Sequence, residues 1–357
     1  MNAARTNLLA MGPITLSDFA WFVVVYNVAV IIWGAYVRAT GSGAGCGSHW
    51  PLCNGEVLPA TSQIQTVIEF THRVTSGLSL VLIGILLLWC WRRTAIGDWP
   101  RYSAIAATVL LLNEAFLGAL LVLLNHLGSP DRSALYAFFL CLHFGNTLLL
   151  LAALALTAKW LSTPDPRFRS VTTSHQMIST GLGLLSVMVI GMTGSLASLG
   201  DTIFPSDSLW HAVQQDFSSS GHILLRLRVL HPIGAVIGSA YVLWLVHAFW
   251  QKQDRSVLAS LLTFALTAQI MLGTMNVIFL APVWLQLTHL FVAEVFWILL
   301  VLASADQLFV THRSGVLLSR KEIIAANCVP RLSPASAATL RYLTTKRNRL
   351  GHVWRGL

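Results

Sequence analysis

The sequence predicts an all-α, polytopic membrane protein with eight transmembrane helices. Hydrophobic residues make up 55% of the 357-residue chain and charged residues only 10%, whereas an ordinary soluble domain is roughly 25% charged. Eight apolar segments approach the ~20 residues that a helix needs to cross a bilayer. These segments are residues 19–37, 67–91, 105–124, 137–158, 177–199, 229–250, 257–280 and 284–303.

The basic residues predict the orientation of these helices. The net charge is +9, but most cations lie in alternate short loops and in the C-terminal tail, so we expect no nucleic-acid partner. Loops rich in Lys and Arg face the cytoplasm, which predicts that both termini are cytoplasmic. The N-terminus resembles neither a cleavable signal nor an organelle presequence, which favours a bacterial plasma membrane. The cations after spans two, four, six and eight are Arg92, Arg93, Arg101, Lys159, Arg167, Arg169, Lys252, Arg255, Arg313, Arg320 and Lys321.

The two halves of the chain are weakly similar, which indicates a duplicated unit. Thr40-Gly41-Ser42 resembles Thr193-Gly194-Ser195, and Leu117-Gly118 resembles Leu272-Gly273. Four spans per unit give both halves one orientation, so we expect a pseudo-twofold axis along the membrane normal. The predicted parts are a first half at 1–160, a cytoplasmic linker at 161–174, a second half at 175–305 and a basic cytoplasmic tail at 306–357.

Four of the twelve histidines lie just inside a span and have a counterpart in the other half: His72, His143, His231 and His289. All four are expected at similar depth near the outer face. An ionisable side chain inside a span is costly and therefore indicates function. Neutral imidazole can bind haem iron through one nitrogen, and a four-helix unit can hold the porphyrin in its core. The pattern predicts one haem-sized site per half, the alternative being structural histidines hydrogen-bonded to carbonyl groups.

Glu69 lies three residues before His72, on the same helical face, and its counterpart position holds Arg228. A carboxylate beside a haem edge can take or deliver protons, whereas the alternative is a structural ion pair with Arg73 or Arg38. Guanidinium groups near the outer helix ends can bind haem propionates, and interfacial snorkelling is the alternative for them. These groups belong to Arg38, Arg73, Arg226 and Arg228.

Cys46 and Cys53 share a loop that the charge pattern places on the oxidising side of the membrane. A disulfide is one expectation for this pair. Two unpaired thiols are the other, because the spacing alone does not fix the distance between the sulfur atoms.

These motifs resemble those of the haem A synthase family. Residues 33–46 (WGAYVRATGSGAGC) and 50–55 (WPLCNG) resemble the family's first outer loop with its cysteine pair, and residues 68–73 (IEFTHR) resemble its Glu-x-x-His-Arg element. Residues 230–232 (LHP) and 286–289 (QLTH) resemble its histidine motifs in the second half. The resemblance covers about residues 15–305. The polar Asn113-Glu114 pair in span three departs from the family pattern.

The resemblance implies oxidation of the C8 methyl group of haem O to a formyl group, which gives haem A for cytochrome oxidase. His72 and His143 would face haem O, with Glu69 beside it, and His231 and His289 would bind haem b. Cys46 and Cys53 would form a disulfide. The implied partners are haem O and haem A, membrane lipid, the protohaem farnesyltransferase that makes haem O, and oxidase assembly factors.

Two other functions remain open at this point. A non-catalytic dihaem electron-transfer cytochrome requires the same four histidines, but Glu69 and the cysteine loop argue against it. A transporter built from paired repeats is the second alternative, and it would bind no haem.

Overall fold

The structure is a computed structural model that describes seven stretches of the chain. They are residues 14–60, 63–125, 133–163, 168–170, 174–218, 223–252 and 256–311. The predicted tail lies outside these stretches from residue 312 onward. The same holds for part of the predicted linker and for Arg167, Arg255, Arg313, Arg320 and Lys321.

Nine α-helices account for most of the described residues, and eight of them are long and apolar enough to cross a membrane. In chain order they are α1 (Leu16–Ala39), α2 (Ile64–Arg93), α3 (Trp99–Asn125), α4 (Ser133–Leu161), α5 (Ser174–Ile203), α6 (Leu209–Asp216), α7 (Ile223–Lys252), α8 (Ser256–Ile278) and α9 (Val283–Leu308). The short helix α6 is the one that does not span. The all-α polytopic fold with eight spans is thereby confirmed.

The ends of α1 show how local sequence sets a helix boundary. Thr15 caps the first turn, because its hydroxyl accepts a hydrogen bond from the backbone N–H of Asp18 at 3.1 Å. The Asp18 carboxylate in turn accepts from the backbone N–H of Thr15 at 3.1 Å, which completes a capping box. The helix ends where Gly41 adopts a left-handed backbone conformation with φ of 65°.

Each half of the protein contains four spans that pack in the same order. In the first half, formed by α1–α4, α2 and α4 each contact both α1 and α3. In the second half, formed by α5–α9, α7 and α9 each contact both α5 and α8. The halves meet through α1, α4, α5 and α9. The recurring order supports a duplicated unit, and the pseudo-twofold axis itself stays a prediction.

The contact between the halves has an apolar centre. The Trp297 indole on α9 donates a hydrogen bond to the carbonyl oxygen of Leu148 on α4 at 2.7 Å. Lys159 and Asp306 form an ion pair of 2.5 Å between the same two helices. In a bilayer such packing and polar contacts hold helices together, because apolar lipid removes most of the hydrophobic driving force for helix association. The buried side chains of this centre are Val28, Leu148, Leu151, Trp297 and Val301.

Two features of the connections differ from the sequence-based expectations. The connection after α5, which ends at Ile203, contains the short helix α6 in addition to the eight expected spans. The expected linker contains strand β1 (Phe168–Ser170), which pairs antiparallel with strand β2 (Phe309–Thr311) directly after α9. The sequence predicts neither element, because each is short and β1 pairs with a segment distant in the chain.

The segment between α1 and α2, residues 40–60, is called the disulfide loop below. Cys46 and Cys53 form a disulfide with a Cα–Cα distance of 4.4 Å, so the disulfide expectation is the correct one. The loop lies directly on the first turn of α2, where the Thr66 hydroxyl donates to the carbonyl oxygen of Gly45 at 2.6 Å. The membrane face that carries this loop is called the loop face. Because the spans alternate in direction, α2, α4, α7 and α9 all begin at the loop face.

Replacement of Gly45 by alanine is expected to lift the disulfide loop from α2. The added Cβ would lie 2.4 Å from the backbone oxygen of Gln65, which cannot rotate away. Overpacking of this kind typically costs about 1–3 kcal/mol, so we expect a lower thermal midpoint in detergent and faster proteolysis of the loop. Gly43→Ala is the matched control, because its Cβ would meet nothing within 4 Å. Equal thermal midpoints for the two variants would contradict this packing.

Candidate functional site

The four histidines singled out from the sequence lie near the beginnings of α2, α4, α7 and α9. All four side chains are partly buried. Since these helices all begin at the loop face, the histidines lie in the same part of the membrane, as the sequence predicts. They are His72, His143, His231 and His289.

The rings of His72 and His231 pack against glycines of the preceding spanning helices. A Cβ on Gly34 of α1 would lie 2.8 Å from Cε1 of His72, and a Cβ on Gly194 of α5 would lie 2.9 Å from Cε1 of His231. Only glycine allows this approach without moving the ring. The structural counterpart of Gly194 is therefore Gly34, whereas the sequence comparison paired Gly194 with Gly41, which lies in the turn after α1.

The second histidine of each half has the same kind of neighbour. A Cβ on Gly118 of α3 would lie 3.7 Å from Cε1 of His143, and one on Gly273 of α8 would lie 3.1 Å from Cε1 of His289. These are the two glycines that the sequence comparison matched. Each half thus holds two imidazole rings between pairs of closely packed helices.

Among the described residues, two ring nitrogens of these histidines have a hydrogen-bond partner. Nδ1 of His231 donates to the carbonyl oxygen of Ile190 at 3.0 Å, which leaves its Nε2 lone pair for a ligand, and Nε2 of His289 lies 3.2 Å from the amide nitrogen of Gln269. Nδ1 of His72, of His143 and of His289 is buried and makes no hydrogen bond within the described residues. Buried polar atoms are normally hydrogen-bonded, so this set indicates groups that await a ligand.

The two histidines of the second half lie close together. The ring centres of His231 and His289 are 6.4 Å apart and their planes are 84° apart. Two imidazoles that bind one metal ion from opposite sides, with metal–nitrogen bonds of about 2.0 Å, place their ring centres on the order of 6 Å apart. In the first half, the rings of His72 and His143 pack against Gly34 of α1 and Gly118 of α3.

A pair of imidazoles fits porphyrin iron better than a metal ion held by protein alone. In the part of the chain that the structure describes, no group of three or more His, Cys, Asp or Glu side chains is arranged to hold a metal ion. Protein zinc sites normally use three or four such ligands. Haem iron requires only axial ligands from the protein, since the macrocycle supplies the others. The residues present therefore fit a haem in each half.

Glu69 lies between His72 and the disulfide loop. Its side chain is buried, its Oε2 accepts a hydrogen bond from the backbone N–H of Cys46 at 2.8 Å, and its Oε1 accepts from Nη2 of Arg73 at 2.5 Å. The ion pair with Arg73 that the sequence left as an alternative is thus present. The carboxylate connects α2 to the disulfide loop, and it does so one helical turn from His72.

Arg228 occupies the counterpart position and also connects its helix to neighbouring segments, but through a positive charge. Its guanidinium group pairs with Asp201 on α5 at 2.9 Å and with Asp216 on α6 at 2.6 Å. Glu69 and Arg228 therefore serve the same purpose with inverted charge. Each joins a histidine-bearing helix to the segment that covers it at the loop face.

The arginines expected near haem propionates differ in their contacts. Arg73 donates to Glu69 and also to the carbonyl oxygen of His49 at 2.6 Å. Arg38 donates through Nη2 to the Ser198 hydroxyl at 2.6 Å, while its Nη1 is buried and has no partner among the described residues. Arg38 is therefore the arginine with buried donor capacity left for an anion.

Two carboxylates inside the spans were not identified as functional from the sequence. Glu114 on α3 lies with its Oε1 3.3 Å from Nδ1 of His143. Glu294 on α9 is 1% exposed, and neither of its carboxyl oxygens has a hydrogen-bond partner in the described ranges. The available signal was the presence of an acid within an apolar segment, which is costly in a bilayer.

Proteins of two kinds are similar in sequence to this chain. A Protoheme IX farnesyltransferase of Thermus thermophilus is 42% identical over 296 residues, which are 82% of this chain and 48% of that protein. This chain therefore spans about half the length of that relative. A Heme A synthase of Alkalihalophilus pseudofirmus is 39% identical over 127 residues, 36% of this chain and 40% of that enzyme. A Heme A synthase of an Exiguobacterium species is 27% identical over 278 residues, 77% of this chain and 88% of that enzyme.

Residues 17–301 match the family described as cytochrome oxidase assembly protein, COX15-CtaA. The match includes the disulfide loop and all four histidines. Together with the relatives named Heme A synthase, it confirms the family resemblance found in the sequence motifs. The chain belongs to the COX15-CtaA family of cytochrome oxidase assembly proteins.

Proposed function

We propose that this protein is a haem A synthase that oxidises the C8 methyl group of haem O to a formyl group. The conversion is a four-electron oxidation of that carbon: two successive hydroxylations give a geminal diol, which loses water to leave the formyl group, and the electrons pass to an external acceptor. The product haem A is supplied to cytochrome oxidase. The observation that carries the proposal is the pair of imidazole rings of His231 and His289, whose centres are 6.4 Å apart. The relatives named Heme A synthase support it.

The two halves have different tasks in this proposal. His231 and His289 hold a resident haem b, which when bound supplies one-electron transfer. His72 and His143 hold the substrate haem O. The hydrogen bond from His231 to Ile190 supports a resident site in the second half, because it fixes the tautomer and the direction of the ring.

The polar groups of the first half position and serve the substrate. Glu69 lies one turn from His72, held by Cys46 and Arg73, and is proposed to take and deliver protons at the substrate edge. Arg38 is proposed to bind a propionate through its unpaired Nη1. Arg73 and Arg228 act by holding the disulfide loop and α6 in place, since their guanidinium groups are engaged by protein oxygens.

The loop face is proposed to be extracytoplasmic, in a bacterial plasma membrane, with both termini in the cytoplasm. The Cys46–Cys53 disulfide supports this orientation because such bonds persist on the oxidising side. The similarity to part of a protein named Protoheme IX farnesyltransferase supports a partnership with the enzyme that makes haem O. Oxidase assembly factors and membrane lipid are the other proposed partners.

Histidine substitutions in the purified protein test which half holds the resident haem. We expect His231→Ala to lose the Soret absorbance of the resident haem, whereas His72→Ala retains it, because His72 belongs to the substrate site. The measurement is the absorption spectrum and haem content of each variant. Retention by His231→Ala with loss by His72→Ala would reverse the assignment of the halves.

Pigment extraction distinguishes the proposed activity from its rivals. We expect cells that make haem O to accumulate a formyl-bearing haem when they also express this protein. Bound haem without any formyl product would indicate a dihaem electron-transfer cytochrome. A wild-type protein with no Soret absorbance would indicate a transporter.

The glycine contacts give a test of how the rings are held. We expect Gly194→Ala to change the absorption and electron paramagnetic resonance spectra of the resident haem, because its Cβ would lie 2.9 Å from the His231 ring and would turn it. Gly118→Ala is the matched control, since its Cβ would make ordinary contact at 3.7 Å with His143. Both variants should fold, as the atoms displaced belong to a side chain. Unchanged spectra for Gly194→Ala would show that this contact does not orient His231.

Glu69→Gln tests whether the carboxylate acts on protons or only anchors the disulfide loop. We expect formation of formyl haem to fall by about 10²-fold, a typical contribution of a proton-transfer group, with the resident haem unchanged. Thr66→Ala is the control, because it removes another anchor of the same loop, the hydrogen bond to Gly45, and leaves Glu69 intact. An equal loss of product in both variants would assign Glu69 a structural role.

A further inference from the structure

The second histidines of the two halves, His143 and His289, have polar neighbours of different charge. Glu114 lies four residues before Gly118 on α3, and its Oε1 is 3.3 Å from Nδ1 of His143. Gln269 lies four residues before Gly273 on α8, and its Nε2 is 3.2 Å from Nε2 of His289. The same repeat position therefore holds a carboxylate in the first half and a neutral amide in the second.

The Glu114 carboxylate is fixed by neighbours on α4. Asn146 donates to Oε2 at 2.5 Å, and the Thr147 hydroxyl donates to Oε1. Asn146 is itself held, because Asn113 donates to its side-chain oxygen at 2.8 Å. Among the described residues, the ion-pair partner of Glu114 is His143, and no Lys or Arg pairs with it. The cluster thus orients a carboxylate toward the imidazole without a cation to neutralise it.

The contact between Glu114 and His143 fits a ligand that is completed by iron. Nδ1 of His143 is within ion-pair distance of Oε1 but is not aligned as a hydrogen bond. Such contacts are often long or poorly aligned until the ligand that tightens them is bound. A carboxylate that accepts the second N–H of a metal-bound imidazole fixes the ring and strengthens its electron donation to the metal.

We propose that Glu114 is a positioning residue that makes His143 the stronger electron donor of the two second histidines. This inference rests on the proposed function, which places substrate haem in the first half and resident haem in the second. The carboxylate stabilises the oxidised state of the first-half haem iron. The reduction potential of that haem is therefore lower than it would be beside a neutral side chain. Gln269 leaves His289 without this anionic partner. The two sites therefore share ligands but differ in the electronic state that they favour.

The test is a redox titration of the full-length protein, purified from cells that make haem O, with both haems bound and followed by their separate visible bands. We expect Glu114→Gln to raise the potential of the first-half haem, with about a tenfold shift in the one-electron equilibrium, or about 59 mV. The second-half haem should not move. Glu114→Asp retains the carboxylate charge, so we expect the potential of its first-half haem to lie between those of the wild type and Glu114→Gln.

A reciprocal variant in the second half and a control variant on α3 complete the test. Gln269→Glu should lower the potential of the second-half haem and leave the first unchanged. Thr108→Ala on the same helix removes only a hydroxyl that donates to the carbonyl oxygen of Ala104, so it should leave both potentials near the wild-type values. If Glu114→Gln does not accumulate, Gln269→Glu decides the inference: a lowered potential supports it and an unchanged potential overturns it.

Failure of the inference and failure of the proposed function give different results. Unchanged potentials in Glu114→Gln, with both haems bound, overturn the inference alone. A wild-type protein that binds no haem dependent on His143 overturns the first-half haem site, and the inference with it. This second result is read from haem content in His143→Ala before any redox measurement.

Discussion

The close approach of three imidazole rings, those of His72, His231 and His289, to a glycine on the preceding spanning helix is the constraint on which the site depends. An imidazole cannot remain stable against lipid with its nitrogens unpaired, so it must lie between helices. Glycine removes the side chain that would separate those helices, and the rings of His72 and His231 occupy that space. The helix spacing and the direction of the ring are therefore set by the same contact.

The two halves use one backbone arrangement with different electrostatics. Glu69 and Arg228 occupy equivalent positions with opposite charge: Glu69 connects α2 to the disulfide loop through Cys46, and Arg228 connects α7 to α6 through Asp216. Glu114 and Gln269 are equivalent too, and they place a carboxylate beside one histidine and an amide beside the other. Equal ligands in equal frames would give two sites of equal chemistry. In the proposed function, these neighbouring charges distinguish the half that would hold a resident haem from the half that would hold the substrate.

Polar contacts add to the apolar centre in connecting the two halves. Arg38 and Ser198 lie four residues after Gly34 and Gly194, respectively, and hydrogen-bond to each other at 2.6 Å. Contact between residues at equivalent repeat positions is expected beside an axis that relates the two units. Lipid competes with apolar side chains for helix surfaces but offers no partner to a guanidinium group in the apolar layer. Such contacts therefore favour one register of the two halves over others.

The sequence by itself determined the eight spans, the common depth of the four histidines and the proximity of Glu69 to His72. These properties depend on hydropathy and helical spacing, which act over a few turns of one segment. Only the tertiary structure decided that Gly34 is the counterpart of Gly194, that Glu114 faces His143, and that β1 pairs with β2. Each of these contacts joins residues on different helices or distant segments. The rotation of each helix about its own axis and its packing against its neighbours determine these contacts. Local sequence patterns do not predict either property.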